Sequence, residues 1–441
     1  VGDTYEQTTY PEWLFSQYRT GTAAFLPKDT MLPAGAGETP LSCAQCHMES
    51  HDDTGQPFRS KIASIQERSN MPESDHTLPA HQIDLKPRDG FARHTLVGLN
   101  LFLIKMAQQF PDILGIPLED PMLTSKGMAP LQRTEDKMVE NARHNTADIS
   151  VLERKVHDLG DGKGETLDVK VRIDNHAGHK FPSGVSFRRA FVEFEVLDAF
   201  GTPLWHSGAT NEYGILIDAK TGKPLPGELW YDDACHKTAK APDFQPHYQV
   251  IDKPNKVQIY QEVKLDPGAS GPASDAPYCD KGAVISETSN LTTSFLSICH
   301  TVKDNRLLPA GLLPRADRVK IALALGLGAG GLRSTQTEAE ILADETGAEF
   351  VDGDKDYETG GGDTLSYRIP LSDIAGTAAS VRATLHYQAT PPFYLQDRFC
   401  TGEGANRDRL FHITSLLDTK GTPIEDWKFT MVSTGAVPIP Y

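Results

Sequence analysis

Five consecutive residues carry the chemistry that the rest of the chain must serve. Cys43-Ala44-Gln45-Cys46-His47 is a C-x-x-C-H pattern, the spacing of covalent c-type haem attachment. Two thiols one helical turn apart can each form a thioether with one haem vinyl. The histidine that follows then sits under the iron as its proximal axial ligand. A redox dithiol calls for a βαβ context, and half a zinc site calls for a second Cys/His pair nearby. The flanking sequence supplies neither. One covalent haem c on Cys43, Cys46 and His47 is the expectation.

The opposite axial position decides whether such an iron only carries electrons or also binds a substrate. The chain offers 15 His and 8 Met. Met48 and His51 follow the proximal ligand too closely to wrap round to the other face. His94 opens the strongest helical pattern and is the first candidate. His179 comes next, just after an expected strand and among glycines that allow close approach. His76, His81, His144 and an open position remain. Arg93, Lys180, Arg188 and Arg189 could pair with haem propionates, although any one of them taken singly fits an ordinary charged surface position.

The elements that must position these groups fall into two textures. The approach to Cys43 is loop-rich, punctuated by Pro27, Pro33, Gly35, Gly37 and Pro40. A short aromatic helix is expected at Tyr10–Tyr18, packed on a porphyrin face or simply in a core, and one or two helical turns at Lys61–Ser69. Leu96, Leu99, Leu103 and Met106 recur at helical spacing over Arg93–Phe110, with Pro111 to end the helix. A second helical pattern runs from Thr134 to Ile149, separated from the first by Asp120-Pro121 and Gly127.

Alternation then takes over. Val151–His157 and Leu167–Ile173 flank the turn Asp161-Gly162-Lys163-Gly164, and Phe191–Leu197 pairs with Pro203–His206 across Asp198–Gly201: two hairpins. Further strands are expected at Val257–Val263, Thr293–Ser297, Thr364–Ile369 and Val381–Tyr387. Phe393–Phe399 and Asp408–Leu417 read as closing helices. The fold class is therefore α+β: a helical haem-binding region over residues 1–150, an antiparallel β-sandwich over 151–310, and completing strands with C-terminal helices over 311–441.

Length and charge narrow the function classes. The chain has 441 residues, 39% of them hydrophobic and 23% charged, with no apolar run of membrane-spanning length. A net charge of −17 disfavours nucleic acid and anionic membranes and favours a basic partner or simply solubility. Haem c is attached outside the cytoplasm, so the numbering from Val1 reads as a chain whose export signal is gone. The site is then periplasmic or extracellular. Cys235, Cys279, Cys299 and Cys400 remain after the haem pair, an even number that suggests two disulfides of open pairing, with buried free thiols as the alternative. Cys235-His236 and Cys299-His300 lack a Cys three residues earlier and are not haem motifs.

Two weaker signals need weighing. Asp352, Asp354, Asp356 and Glu358 alternate along one segment, a spacing that can converge on Ca²⁺ and that more often makes a solvated acidic turn. Gly326–Gly331 is glycine-rich with no βαβ unit around it and reads as a loop.

Trp13-x-x-Ser16-x-Tyr18, then Cys43-x-x-Cys46-His47-Met48, then Arg93-His94-Thr95-Leu96-Val97-Gly98 resemble segments of the multihaem c-type cytochromes. Gly178-His179-Lys180-Phe181-Pro182-Ser183-Gly184, followed by Arg188-Arg189-Ala190, is similar to the opening of the β-region in that family, and Lys303–Pro309 also resembles a segment of that group. The resemblance implies a ligand at His94. It departs in one respect: a single C-x-x-C-H is present where relatives carry several. The expected function is a c-type cytochrome carrying single electrons between redox protein partners, other cytochromes or copies of itself, within a larger assembly. The alternatives are a haem enzyme acting on peroxide or a nitrogen oxide, and a subunit in which haem is a folding staple.

Overall fold

Strict alternation builds the middle of the chain. In Glu165–Asn175 (β2), Leu167, Val169, Val171 and Ile173 are buried and Lys170 is exposed, the period of a strand with one face on a core. The structure, a computed structural model, describes residues 7–20, 40–59 without 53, 89–118, 129–160, 164–238, 243–266, 291–326 without 296, 297 and 299, 332, 335–337, 339–341 and 354–440.

Ala147–Asp158 (β1) runs antiparallel to β2, and β2 runs antiparallel to Gly362–Pro370 (β8). Val250–Ile251 (β5) adds in parallel, so the order is β1-β2-β8-β5. The larger sheet is centred on Arg189–Leu197 (β3), which pairs with Pro203–Ser207 (β4), Ile259–Leu265 (β6) and Ser380–Gln388 (β9). Beyond them lie His300–Asp304 (β7), Phe429–Ser433 (β10) and Val437–Pro438 (β11), in the order β10-β9-β3-β6-β7 with β11 on β9. The two sheets close on one core, with the Phe194 and Tyr367 rings stacked 3.8 Å apart between them. Each large apolar side chain buried there contributes roughly 1.5–3 kcal/mol. The expected α+β class with a sandwich-like pair of sheets is what the chain adopts.

Helices Leu101–Gln109 and Pro130–Asn141 place Phe102, Met106 and Met138 in that same core, and the buried Lys105–Glu135 pair (2.6 Å) joins them. Thr9–Leu14 and Gln17–Thr20 are short helices broken at Ser16, whose hydroxyl donates to the Trp13 carbonyl. Pro392–Thr401 and Ala405–Leu416 are the expected C-terminal helices, and Arg315–Leu325 is a further one. A disulfide joins Cys235 to Cys400, while Cys279 and Cys299 lie outside the described residues. Among the described residues no helix is long and apolar enough to cross a membrane.

Two helices begin or end elsewhere than their periodicity suggests. Residues 93–97 are irregular rather than helical, because their backbone pairs with the Cys43–Glu49 segment: Arg93 N–H donates to Glu49 and Val97 N–H to His47, while Leu96 takes a positive φ of 44°. The Asn100 side chain then caps the helix that starts at Leu101. The second pattern stops at Asn141, passes through a π-turn at Ala142–Thr146, and becomes β1. Ile149 and Val151 there are β-branched and pair with β2. The segments at Lys61–Ser69 and Gly127 lie outside the described residues, as do His76 and His81.

Candidate cofactor site

Cys43–His47 forms a helix of 5 residues. Ser42 caps it, its hydroxyl facing the Gln45 N–H while the Gln45 side chain accepts from the Ser42 N–H (2.8 Å). So short a helix has little stability of its own. The strap at residues 93–97 supplies the rest: Thr95 Oγ1 donates to the His47 carbonyl and accepts from Glu49 N–H. The His47 ring is fixed by Nδ1, 2.7 Å from the Val97 carbonyl. A carbonyl only accepts, so Nδ1 carries the proton and Nε2 keeps its lone pair.

The facing wall is the end of β2 and the segment after it. Asn175 Nδ2 donates to the carbonyls of His179, Leu307 and Leu308. Phe181 and Leu307 exchange both backbone hydrogen bonds (2.9 and 2.8 Å). Gly178 is crowded: a Cβ there would lie 3.2 Å from both Trp13 and Tyr18, so those rings would have to give by a few tenths of an ångström. The chain turns His179 inward, and its Nδ1 lies 2.9 Å from the Lys180 carbonyl. Its proton too is therefore on Nδ1, with Nε2 unprotonated. Burial pushes the pKa of His179 down, which keeps the ring neutral.

The two imidazoles meet across a gap. Their centroids are 6.2 Å apart and their planes differ by 12°, too far for ring contact. A metal between two imidazoles, at ~2.0 Å per metal–nitrogen bond and roughly 1.1 Å from each nitrogen to its ring centre, would set the centroids about 6 Å apart. His47 and His179 both line a cavity of ≈ 370 Å³ that also receives Cys43, Cys46, Trp13, Val97 and Phe181. Cys46 is no redox thiolate. Burial first, and then the neighbouring Cys43, pushes its thiol up to about 11, the opposite of what a reactive C-x-x-C needs.

Polar ends are also present. Arg188 lines the cavity, with Nη1 on the Ser183 carbonyl (3.1 Å) and a buried Nε that has no hydrogen-bond partner. Asn145 Oδ1, on the cavity wall, is likewise buried without one. A flat, metal-bearing macrocycle with carboxylate side chains matches this donor set: two free imidazole nitrogens, two thiols, and an orphaned guanidinium N–H.

The other candidates go elsewhere. His94 is exposed and does not line the cavity. Arg93 serves Glu49 (3.1 Å). Lys180 is fully buried on Asp304 (2.6 Å) and the Gln336 carbonyl, and Arg189 is held by Glu228 and Gln388. None of the three is available to a propionate. His176, which the motif reading passed over, lines the cavity beside Asp148 (3.2 Å). Its spacing, three residues before His179 on the same segment, was the available signal.

The acidic run does not gather on Ca²⁺. Asp354 caps Lys355–Glu358, Asp356 pairs with Arg172 (2.6 Å), and Glu358 accepts from Ala339 N–H. Each has a separate partner, and Asp352 is outside the described residues. Asp354 instead joins Asp363 around His247 Nε2, at 3.6 and 3.8 Å. That trio has the composition of a metal site but the wrong tautomer. Gln258 Oε1 and Asn305 Oδ1 are occupied by backbone N–H groups (2.8 and 3.0 Å), so both amide NH₂ groups face His247 Nδ1 at 2.9 and 3.2 Å. Nδ1 must accept, Nε2 carries the proton, and no lone pair points at the carboxylates.

No family model and no curated protein matches this sequence. Among solved structures, a penta-haem cytochrome c552 from Thermochromatium tepidum is similar at a TM-score of 0.23 and 12% identity, over 98% of this chain and 96% of that one. A likeness of that size carries no weight below.

Proposed function

We propose that the cavity holds one haem c, joined to Cys43 and Cys46 and ligated axially by His47 and His179, and that the protein carries single electrons between redox proteins outside the cytoplasm. The observation that carries this reading is the imidazole pair: near-parallel rings 6.2 Å apart, each with Nδ1 tied to a carbonyl and Nε2 turned free. Outer hydrogen bonds of this kind fix the tautomer and strengthen the ligand. The group supplies a one-electron Fe(III)/Fe(II) couple when bound. The chain's own residues fix both ligands, wall the group with Trp13, Val97 and Phe181, and offer Arg188 to a propionate.

With two imidazoles on the iron, this reading leaves no position for peroxide or a nitrogen oxide. The Cys235–Cys400 disulfide supports an oxidising compartment. The test is chemical. Denatured protein should retain its pigment, resist acid–acetone extraction and give a c-type pyridine haemochrome at one haem per chain, low-spin in both oxidation states. Extractable haem, or a high-spin ferric form that takes up cyanide at once, would sink the proposal.

A further inference from the structure

The imidazole of His179 is backed by a set of buried charges that neither the attachment chemistry nor the axial ligation requires. Glu12 is 1% exposed. It lies on the Thr9–Leu14 helix that also sends Trp13 to the cavity wall. All of its acceptor positions used here are directional: Oε1 accepts from Thr8 Oγ1 (2.8 Å) and Arg306 Nη1 (3.1 Å), and Oε2 accepts from Lys180 N–H (3.1 Å). That last bond puts the carboxylate on the peptide joining His179 to Lys180. Beyond it, Arg306 reaches Asp304 (2.7 Å) and, at 3.8 Å, Glu262, while Lys180 completes the set.

Burying this many ions costs more than a hydrocarbon wall of the same volume would. Among the acids of the set, Glu12 is the one whose carboxylate bonds directly to the peptide that carries His179, and it stands between that peptide and Arg306. Among the described residues the His47 side has nothing equivalent against its ring: Val97 contributes a carbonyl, and the Glu49 carboxylate is spent on Arg93, Arg133 and Lys137.

We infer that Glu12 is a potential-setting residue, a fixed buried negative charge behind His179 that lowers the midpoint potential of the bound iron. This rests on the ligation proposed above. A negative charge held in a low-dielectric wall stabilises Fe(III) over Fe(II), and hydrogen bonding and net charge near an axial ligand are recognised controls on haem potential. The residue acts through His179 and touches no reacting atom.

The experiment is a spectroelectrochemical titration of the purified holoprotein beside its Glu12→Gln and Glu12→Asp variants. Glu12→Gln keeps the shape and removes the charge: the midpoint potential should move up while the ferric spectrum stays low-spin. Glu12→Asp keeps the charge and should stay nearer the parent. If Glu12→Gln does not fold, Glu12→Gln/Arg306→Gln removes both members of that pair, while Asp304 keeps Lys180 and Glu262 keeps Lys264. Because the Glu12 carboxylate lies between Arg306 and the His179–Lys180 peptide, the double variant's potential should still rise, by less. An unchanged or lowered potential in a low-spin variant overturns the inference. A switch to high spin in Glu12→Gln also overturns it, since Glu12 would then be holding the ligand in place rather than setting its potential. Loss of haem from the parent protein would instead mark failure of the ligation proposal itself.

Discussion

The two walls of the cavity are built on opposite plans. The Cys43–His47 wall is a helix of 5 residues with no buried member, held by a backbone strap and by Glu49, which gathers Arg93, Arg133 and Lys137. The His179 wall is the end of β2 and the segment after it, braced by Asn175 and by Lys180, Asp304, Arg306 and Glu12 in the interior. On the proposed attachment, a wall that would take two covalent bonds can be light, because those bonds would position its ligand once made. His179, the proposed opposite ligand, would have no such tether, so its geometry has to be present in the fold beforehand. The difference teaches where this chain spends its buried polar groups: behind His179, on the wall without thiols.

Breaking the buried wall should therefore hurt most. Lys180→Met strands Asp304 beside a single remaining guanidinium, and removal of one partner from a buried pair costs about 3–5 kcal/mol. Urea unfolding should show a loss of that order. A loss under 1 kcal/mol would mean that the network is slack and the two walls are alike.

Acid sharpens the same contrast. Burial opposes the charge of Asp304, but Arg306 and Lys180 outweigh it and hold the carboxyl well below its ordinary value of 3.8. A depressed folded pKa adds stability that is fully present above 3.8 and lost as the pH falls through the folded value. The parent protein should lose stability on acidification below that point. Asp304→Asn should be weaker at neutral pH and show a flatter acid limb. An acid limb of unchanged slope in that variant would assign the pH dependence elsewhere.

These walls were unequally legible in the chain. The Cys43–His47 wall is local chemistry, readable from five adjacent residues. The β2 and β3 hairpins were readable too, because alternation reports one buried face without reference to any distant partner. The choice between His94 and His179 was not, since it turns on which segment the tertiary fold carries to the cavity. Periodicity placed His94 at the head of a long helix, and the strap at residues 93–97 overrode it: the Arg93 and Val97 N–H groups bond to Glu49 and His47 instead of closing helical turns. Lys180, between His179 and Phe181, read as a charge for a propionate, and only long-range pairing with Asp304 shows it as buried structure. The Cys235–Cys400 bond, 165 residues apart, was one of several pairings that an even count leaves open.

On the lighter wall, Glu49→Gln should cost less than Lys180→Met. Its partners Arg93 and Arg133 are 37% and 24% exposed at their side chains, so water replaces part of what they lose. A loss of roughly 1–2 kcal/mol is expected, read by thermal unfolding of the holoprotein. A cost equal to that of Lys180→Met would erase the asymmetry between the walls.

The smallest expected effect decides the most. His94 is exposed and stands outside the cavity lining, although its neighbours Arg93 and Thr95 both bond to Glu49. Its side chain can change without disturbing the strap, because that segment bonds through backbone atoms, the Thr95 hydroxyl and the Arg93 guanidinium. His94→Ala should therefore fall within about ±0.5 kcal/mol of the parent and leave the visible and electron paramagnetic resonance spectra unchanged. His179→Ala, in the same measurement, should turn the ferric iron high-spin or water-ligated and raise its potential, since a strong donor to Fe(III) has gone. The reverse pattern, with His94→Ala losing the low-spin signal and His179→Ala keeping it, would move the untethered ligand to the exposed strap. The buried charges behind His179 would then have no ligand to serve.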